Sequence, residues 1–168
     1  MNKFMIVAGA LMAGVLLLAG CIGKNDKKPV SSAADEVSAN KAAGEAFMAQ
    51  IAGEEGVGRT ASGLCYRVIE EGKGEVPTLE DKVIVHYRGT LIDGTVFDSS
   101  YDRGTPTVFG VGDVIPGWTE ALCMMPVDSK WMLYIPQQLA YGSQRVGNAI
   151  LPYSAMIFEV ELLGIVKE

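Results

Sequence analysis

One histidine, three scattered cysteines and two tryptophans are nearly all that this 168-residue chain holds of the residues most used in chemistry. A lone His with dispersed Cys does not assemble the ligand set of a zinc site, so no metal is expected, and no cofactor. Basic residues are also scarce, 14 against 20 acidic ones, and form no long run. That balance argues against nucleic acid, whose phosphates are bound by clustered cations. Gly72-Lys73-Gly74 and Gly110-Val111-Gly112 lack the Gly-Lys-Ser/Thr ending of a phosphate loop and read as turn glycines. There is no internal repeat.

The first twenty residues stand apart, with fifteen apolar side chains and a single charge, Lys3. Losing them takes the net charge from −6 to −7, since the lost residue carries +1. The remainder is about 45% apolar, the range of a soluble globular chain long enough to bury one core. The apolar run from Phe4 to Ala19 is shorter than the ~20 residues that span a bilayer comfortably. Behind a Lys-bearing start it reads as a secretory signal over residues 1–20. Its exit, Leu18-Ala19-Gly20-Cys21, resembles the bacterial lipobox, which implies cleavage before Cys21 and lipidation of its sulfur. Several acyl chains anchor firmly at ~0.8 kcal/mol per buried CH₂. The expected product is a membrane-anchored lipoprotein outside the cytoplasm. Ile22, in place of the Asp that retains some lipoproteins at the inner membrane, points to an outer membrane facing the periplasm.

Residues 21–60 divide into a polar stalk and a helical segment. From Ala33 to Ala52, Val37, Phe47 and Ile51 fall near helical spacing, with Ser32 or Asp35 as a cap and Gly53 as a stop. Phe47, Met48 and Ile51 form one apolar face. It serves a connector helix, the main domain or a second copy of the chain.

Eleven of the thirteen aromatics lie between Tyr66 and Phe158, which places the core there. Strand-like runs recur between Gly, Pro and Asp: Leu64 to Glu70, Lys82 to Leu91, Thr95 to Phe97, Lys130 to Ile135 and Ala155 to Val166. Val83, Val85 and Tyr87 share a face at period two, and Asp93-Gly94 is a hairpin signal. Trp118, Ala121 or Leu122, and Met125 make the stripe of a short helix opened by Pro116 and ended by Pro126. The fold class is α+β, one twisted antiparallel sheet with a short helix across its face.

His86 lies one position off the Val85/Tyr87 face and is expected to point to solvent. Cys65 and Cys123 read as unpaired. What remains is a set of aromatics from separate elements, Tyr87, Phe97, Trp118, Tyr141 and Phe158, with Asp98 and Arg103 nearby. Pattern alone leaves core packing open, with Asp98-Ser99-Ser100 as turn chemistry.

Five blocks change that balance: Val85-His86-Tyr87-Arg88-Gly89; Asp93-Gly94 with Phe97-Asp98-Ser99-Ser100; Val114-Ile115-Pro116-Gly117-Trp118; Leu139-Ala140-Tyr141-Gly142; and Ile157-Phe158-Glu159-Val160-Glu161-Leu162-Leu163. In this order they resemble the FKBP-type peptidyl-prolyl cis-trans isomerases over residues 61–168. Glu54 to Val57 and Thr60 to Leu64 resemble the bacterial, Mip-like branch. The resemblance implies an FKBP-like half-barrel around one helix, and an isomerase that rotates X–Pro bonds in exported polypeptides. It places Trp118 at the floor of a pocket walled by Tyr87, Phe97, Phe158, Val114 and Ile115. Ile115 N–H and the Tyr141 hydroxyl become donors to the ligand, Asp98 is held by Arg103 and Tyr87, and Ile150 overhangs the cleft. It also implies macrolide ligands of the tacrolimus and rapamycin type. Thr107, where small eukaryotic members carry Phe, is expected to trim one wall, and Leu139 to lie off the pocket. The alternative is a non-catalytic proline-peptide binder or chaperone using the same pocket. Some Mip-like relatives dimerise through long N-terminal helices; with fewer than forty residues between Cys21 and Thr60, a monomer is expected.

Overall fold

The computed structural model describes residues 32–167; the expected signal, lipobox and most of the stalk lie outside them. Those residues belong to one compact unit. Helix α1 (Ala33–Ile51) begins with a capping box. The Ser32 hydroxyl accepts from Asp35 N–H, and the Asp35 carboxylate accepts from Ser32 N–H.

Seven strands follow: β1 (Gly58–Arg59), β2 (Cys65–Glu70), β3 (Lys82–Leu91), β4 (Val96–Ser99), β5 (Thr107–Gly110), β6 (Ser129–Ile135) and β7 (Met156–Val166). Two short α-helices interrupt them, α2 (Ser100–Arg103) and α3 (Pro116–Leu122), with 3₁₀ turns at Val111–Asp113 and Gln137–Leu139. The sheet runs β1-β2-β6-β7-β3-β4, with β5 also paired to β3. All pairings between strands are antiparallel. β3 is long enough to be shared along one side, by β5 at Lys82 to Val85 and by β4 at Arg88 to Thr90. At the hairpin, Gly94 takes positive φ, and Leu91 N–H donates to Thr95 C=O. β1 and β5 were not legible as strands, being two and four residues long. The sheet therefore starts before residue 61, at Gly58.

The period-two pattern sorts the two faces. Val83, Val85, Tyr87, Leu133, Phe158, Val160 and Leu162 point to one side, where they pack with Trp118, Ala121, Leu122 and Met125. Full burial of each such side chain is worth about 1.5–3 kcal/mol. The close helix–sheet approach rests on Gly117, where a Cβ would stand 2.6 Å from Ile135 Cγ2. On the opposite face, Cys65, Tyr134 and Ile157 are register partners, and α1 covers them with Ile51, Phe47 and Met48. The apolar face of α1 thus packs on its own domain. The Cys65 and Cys123 thiols are both free, and burial raises the pKa of each.

Candidate functional site

α3 owes its position to a turn the sequence encodes locally. Pro116, lacking an N–H, occupies its first turn, and Ile115 C=O accepts from Trp118 N–H (2.9 Å) and Thr119 N–H (3.1 Å). The Thr119 hydroxyl donates to Val111 C=O at 2.8 Å, tying the helix to the preceding turn. Trp118 is thereby held under a cleft of about 480 Å³ lined by Tyr87, Phe97, Asp98, Phe109, Asp113, Val114, Ile115, Trp118, Tyr141 and Phe158.

The rings interlock edge to face. Trp118 meets Tyr87 at 5.3 Å, Phe158 at 5.3 Å and Phe109 at 5.7 Å between centroids, all near perpendicular. Phe97 stands against Phe158 at 5.5 Å and 86°. Such pairs add about 0.5–1.5 kcal/mol beyond area burial and fix the wall geometry. The indole is 4% exposed. Gly89 makes room for the walls: a Cβ there would lie 2.6 Å from Phe97 Cζ and 2.8 Å from Phe158 Cε1.

Asp98 supplies the polar edge. It accepts hydrogen bonds from the Tyr87 hydroxyl and from Arg103 Nη1, while Arg103 Nη2 donates to the Tyr87 oxygen at 2.9 Å. Burial pushes the Asp98 pKa up, but these two hydrogen bonds and the guanidinium charge outweigh it and hold the carboxyl below its ordinary range. Burial, then the bond to Asp98, raises the Tyr87 hydroxyl. Arg103 ends α2, where Gly104 closes the turn at φ 74°. Ile115 and Tyr141 line the same cleft, and the buried Trp118 Nε1–H beneath it has no hydrogen-bond partner among the described residues.

The structure brings Tyr87, Phe97, Asp98, Val114, Ile115, Trp118, Tyr141 and Phe158 to this one cleft. Arg103 acts from behind, through Asp98 and Tyr87. Ile150 is different: it is 6% exposed, paired with Val146 and packed in the core, and it does not line the cleft. A short return bridge pulls it inward, which the loop sequence did not reveal. Thr107 does not line the cleft; its hydroxyl accepts from Arg103 Nη2 at 3.2 Å. The ring at this side is Phe109, two residues on along β5. Phe109 and Asp113 were missed, although the Thr107/Phe109 alternation across exposed Val108 was a readable signal. His86 is on the outer face as expected, yet not simply solvated: it is half-buried, bonded to Ser100 and stacked on Tyr101. Among the described residues no group of three or more His, Cys, Asp or Glu is placed to hold a metal ion.

An antiparallel sheet packed on one short helix thus carries an aromatic-lined cleft, and the described residues lining it include no Ser, Thr, Cys or His. A family profile described as FKBP-type peptidyl-prolyl cis-trans isomerase matches residues 73–163, and a second, the domain amino-terminal to such isomerases, matches residues 18–68. The chain is 56% identical over 124 residues to the FKBP-type 22 kDa peptidyl-prolyl cis-trans isomerase of Escherichia coli, covering 74% of this chain and 60% of that one. It is 47% identical over 128 residues to the outer membrane protein MIP of Legionella longbeachae, covering 76% and 55%. The crystal structure of FkpA from Escherichia coli superposes with a TM-score of 0.75 at 45% identity, over 79% of this chain and 62% of that one. The chain belongs to the FKBP-type peptidyl-prolyl cis-trans isomerase family. It spans little more than half the length of these relatives.

Proposed function

We propose that this protein is a peptidyl-prolyl cis-trans isomerase acting on proline-containing segments of unfolded or partly folded exported polypeptides. The observation that carries the reading is the cleft in which Tyr87, Phe109 and Phe158 close edge-on around Trp118, with Asp98 tied to Tyr87 and Arg103. Rotation about an X–Pro bond crosses ~18–20 kcal/mol because it sacrifices amide resonance. Unaided it takes tens to hundreds of seconds.

The twisted amide has less charge separation than the planar one, so an apolar cleft that excludes water favours it. The pyrrolidine ring sits over the Trp118 indole and against Phe158. Ile115 N–H and the Tyr141 hydroxyl hold flanking carbonyls in the rotated geometry, which is positioning with preorganised donors. Asp98, kept ionised by Arg103, fixes the Tyr87 ring and presents its field at the cleft edge. Lowering the barrier by ~5–8 kcal/mol gives about 10⁴- to 10⁶-fold acceleration. No proton transfer or covalent intermediate is needed.

The test is a cis-to-trans assay on a short X–Pro peptide. Phe97→Ala combined with Tyr141→Phe should lower kcat/KM at least about a hundredfold, the loss of roughly 3 kcal/mol of transition-state contacts. Undiminished turnover in that double variant defeats the assignment. A macrolide of the tacrolimus or rapamycin type should compete for the same cleft.

The reading extends to a lipoprotein monomer, cleaved before Cys21 and anchored through it at the outer membrane, facing the periplasm. Leu18-Ala19-Gly20-Cys21 supports the anchor, and the Legionella relative named an outer membrane protein supports the location. Mass spectrometry of the N-terminal peptide should find a diacylglyceryl adduct on Cys21, and Cys21→Ser should release the protein from membranes.

A further inference from the structure

Ser100 is fully buried, yet it is the first residue of α2 and points back at β3 rather than into the cleft. Its hydroxyl oxygen accepts from Tyr87 N–H at 2.8 Å and lies 3.2 Å from Tyr87 C=O. A third partner, His86 Nδ1, is 2.8 Å away on the outer face. The hydroxyl has one proton, which goes either to Tyr87 C=O or to His86 Nδ1. His86 is itself held flat on Tyr101, at 4.7 Å and 14°, and the Tyr101 hydroxyl donates to Glu161 at 2.9 Å. One side chain thus clamps the backbone of Tyr87 to the start of α2, and the end of α2 carries Arg103. Asp98 lies two residues upstream, on β4.

We infer that Ser100, backed by His86, is a positioning residue that sets the meeting of Tyr87, Asp98 and Arg103 at the cleft edge. The loop is short: Ser100 fixes the Tyr87 backbone, the Tyr87 ring reaches Asp98, and Arg103 reaches both. Slack at Ser100 moves the Tyr87 phenol and the guanidinium relative to each other while the Trp118, Phe97 and Phe158 rings stay in place. The inference rests on the isomerase reading for its kinetic arm and stands without it for its spectroscopic one.

The test compares Ser100→Ala, Ser100→Thr and His86→Phe in the full chain, the last keeping a ring on Tyr101 while removing Nδ1. Asp98 is titrated by ¹³C NMR of its carboxyl, and kcat and KM are measured separately. Ser100→Ala should move the Asp98 titration up towards an ordinary carboxylate and lower kcat about tenfold with KM changed less than twofold, as loss of positioning rather than of binding requires. Ser100→Thr, which keeps the hydroxyl, should restore both, and His86→Phe should shift both in the same direction by less. An unmoved Asp98 titration in Ser100→Ala, or kcat preserved there while only thermal stability falls, overturns the inference. If Ser100→Ala fails to fold, His86→Phe decides by the same two readouts. Absence of turnover in the unmutated protein defeats the isomerase reading alone, since the Asp98 titration still reports the clamp.

Discussion

At the scale of single residues, the cleft is as much a matter of what Gly89 omits as of the rings around it. Gly89→Ala pushes a methyl into Phe97 and Phe158, an overpacking that costs about 1–3 kcal/mol and splays both walls. The variant should stay folded and lose at least about tenfold in kcat/KM, checked by calorimetry beside the peptide assay. Asp98 carries a second expectation, with a sign. Its folded pKa is depressed, so its contribution to stability is present above the ordinary carboxylate pKa and is lost as pH falls through the folded value. Activity should therefore persist on acidification to below the ordinary Asp range. Tyr87→Phe removes a donor to the carboxylate and should move that acid limb upward, which a pH profile of kcat/KM reads. The residue types here were legible early, because Tyr87, Phe97, Trp118 and Phe158 sit in blocks with distinctive neighbours. Phe109 was missed because it lies outside those blocks, in a strand whose only cue was its alternation with Thr107.

Elements decide how those residues stay put. α1 has few apolar residues, and Phe47, Met48 and Ile51 gain their hold by covering Cys65 and Tyr134, with Phe47 at 6.1 Å from the Tyr134 ring. Ile51→Ala should cost about 2–4 kcal/mol of unfolding free energy, the usual range for emptying a buried aliphatic site. The same change should speed alkylation of Cys65, which the helix shields, as peptide mapping after thiol labelling will show. Helical spacing revealed the face of α1 but not its partner, since an apolar stripe is equally suited to a sheet or to a second chain. The sheet that receives it was more readable. β3 and β7 alternate over ten and eleven residues, and their long pairing forms the middle of the sheet.

For the whole molecule, titration beyond the cleft sets the alkaline limit. Burial and the hydrogen bond to Glu161 raise Tyr101 to about 12. A raised folded pKa means that its contribution is complete below the unfolded tyrosine pKa of ~10 and is lost as pH rises towards 12. Urea midpoints should fall between those limits, and Tyr101→Phe should flatten that fall. Helix and sheet share interfaces on both faces, so tryptophan fluorescence and far-ultraviolet circular dichroism should report one coincident unfolding transition.

What the amino-acid order determined by itself was the alternation of the long strands, the Pro-opened helix, the hairpin at Asp93-Gly94 and the identity of most cleft residues. These are local or periodic properties, written in the spacing of apolar side chains and in backbone preferences. Tertiary structure alone decided that Ile150 turns inward, that Thr107 serves Arg103 instead of a wall, that α1 closes the rear of the sheet and that Ser100 clamps Tyr87. Each of those depends on contacts between residues distant along the chain or on the path of a loop, and neither is encoded in a period.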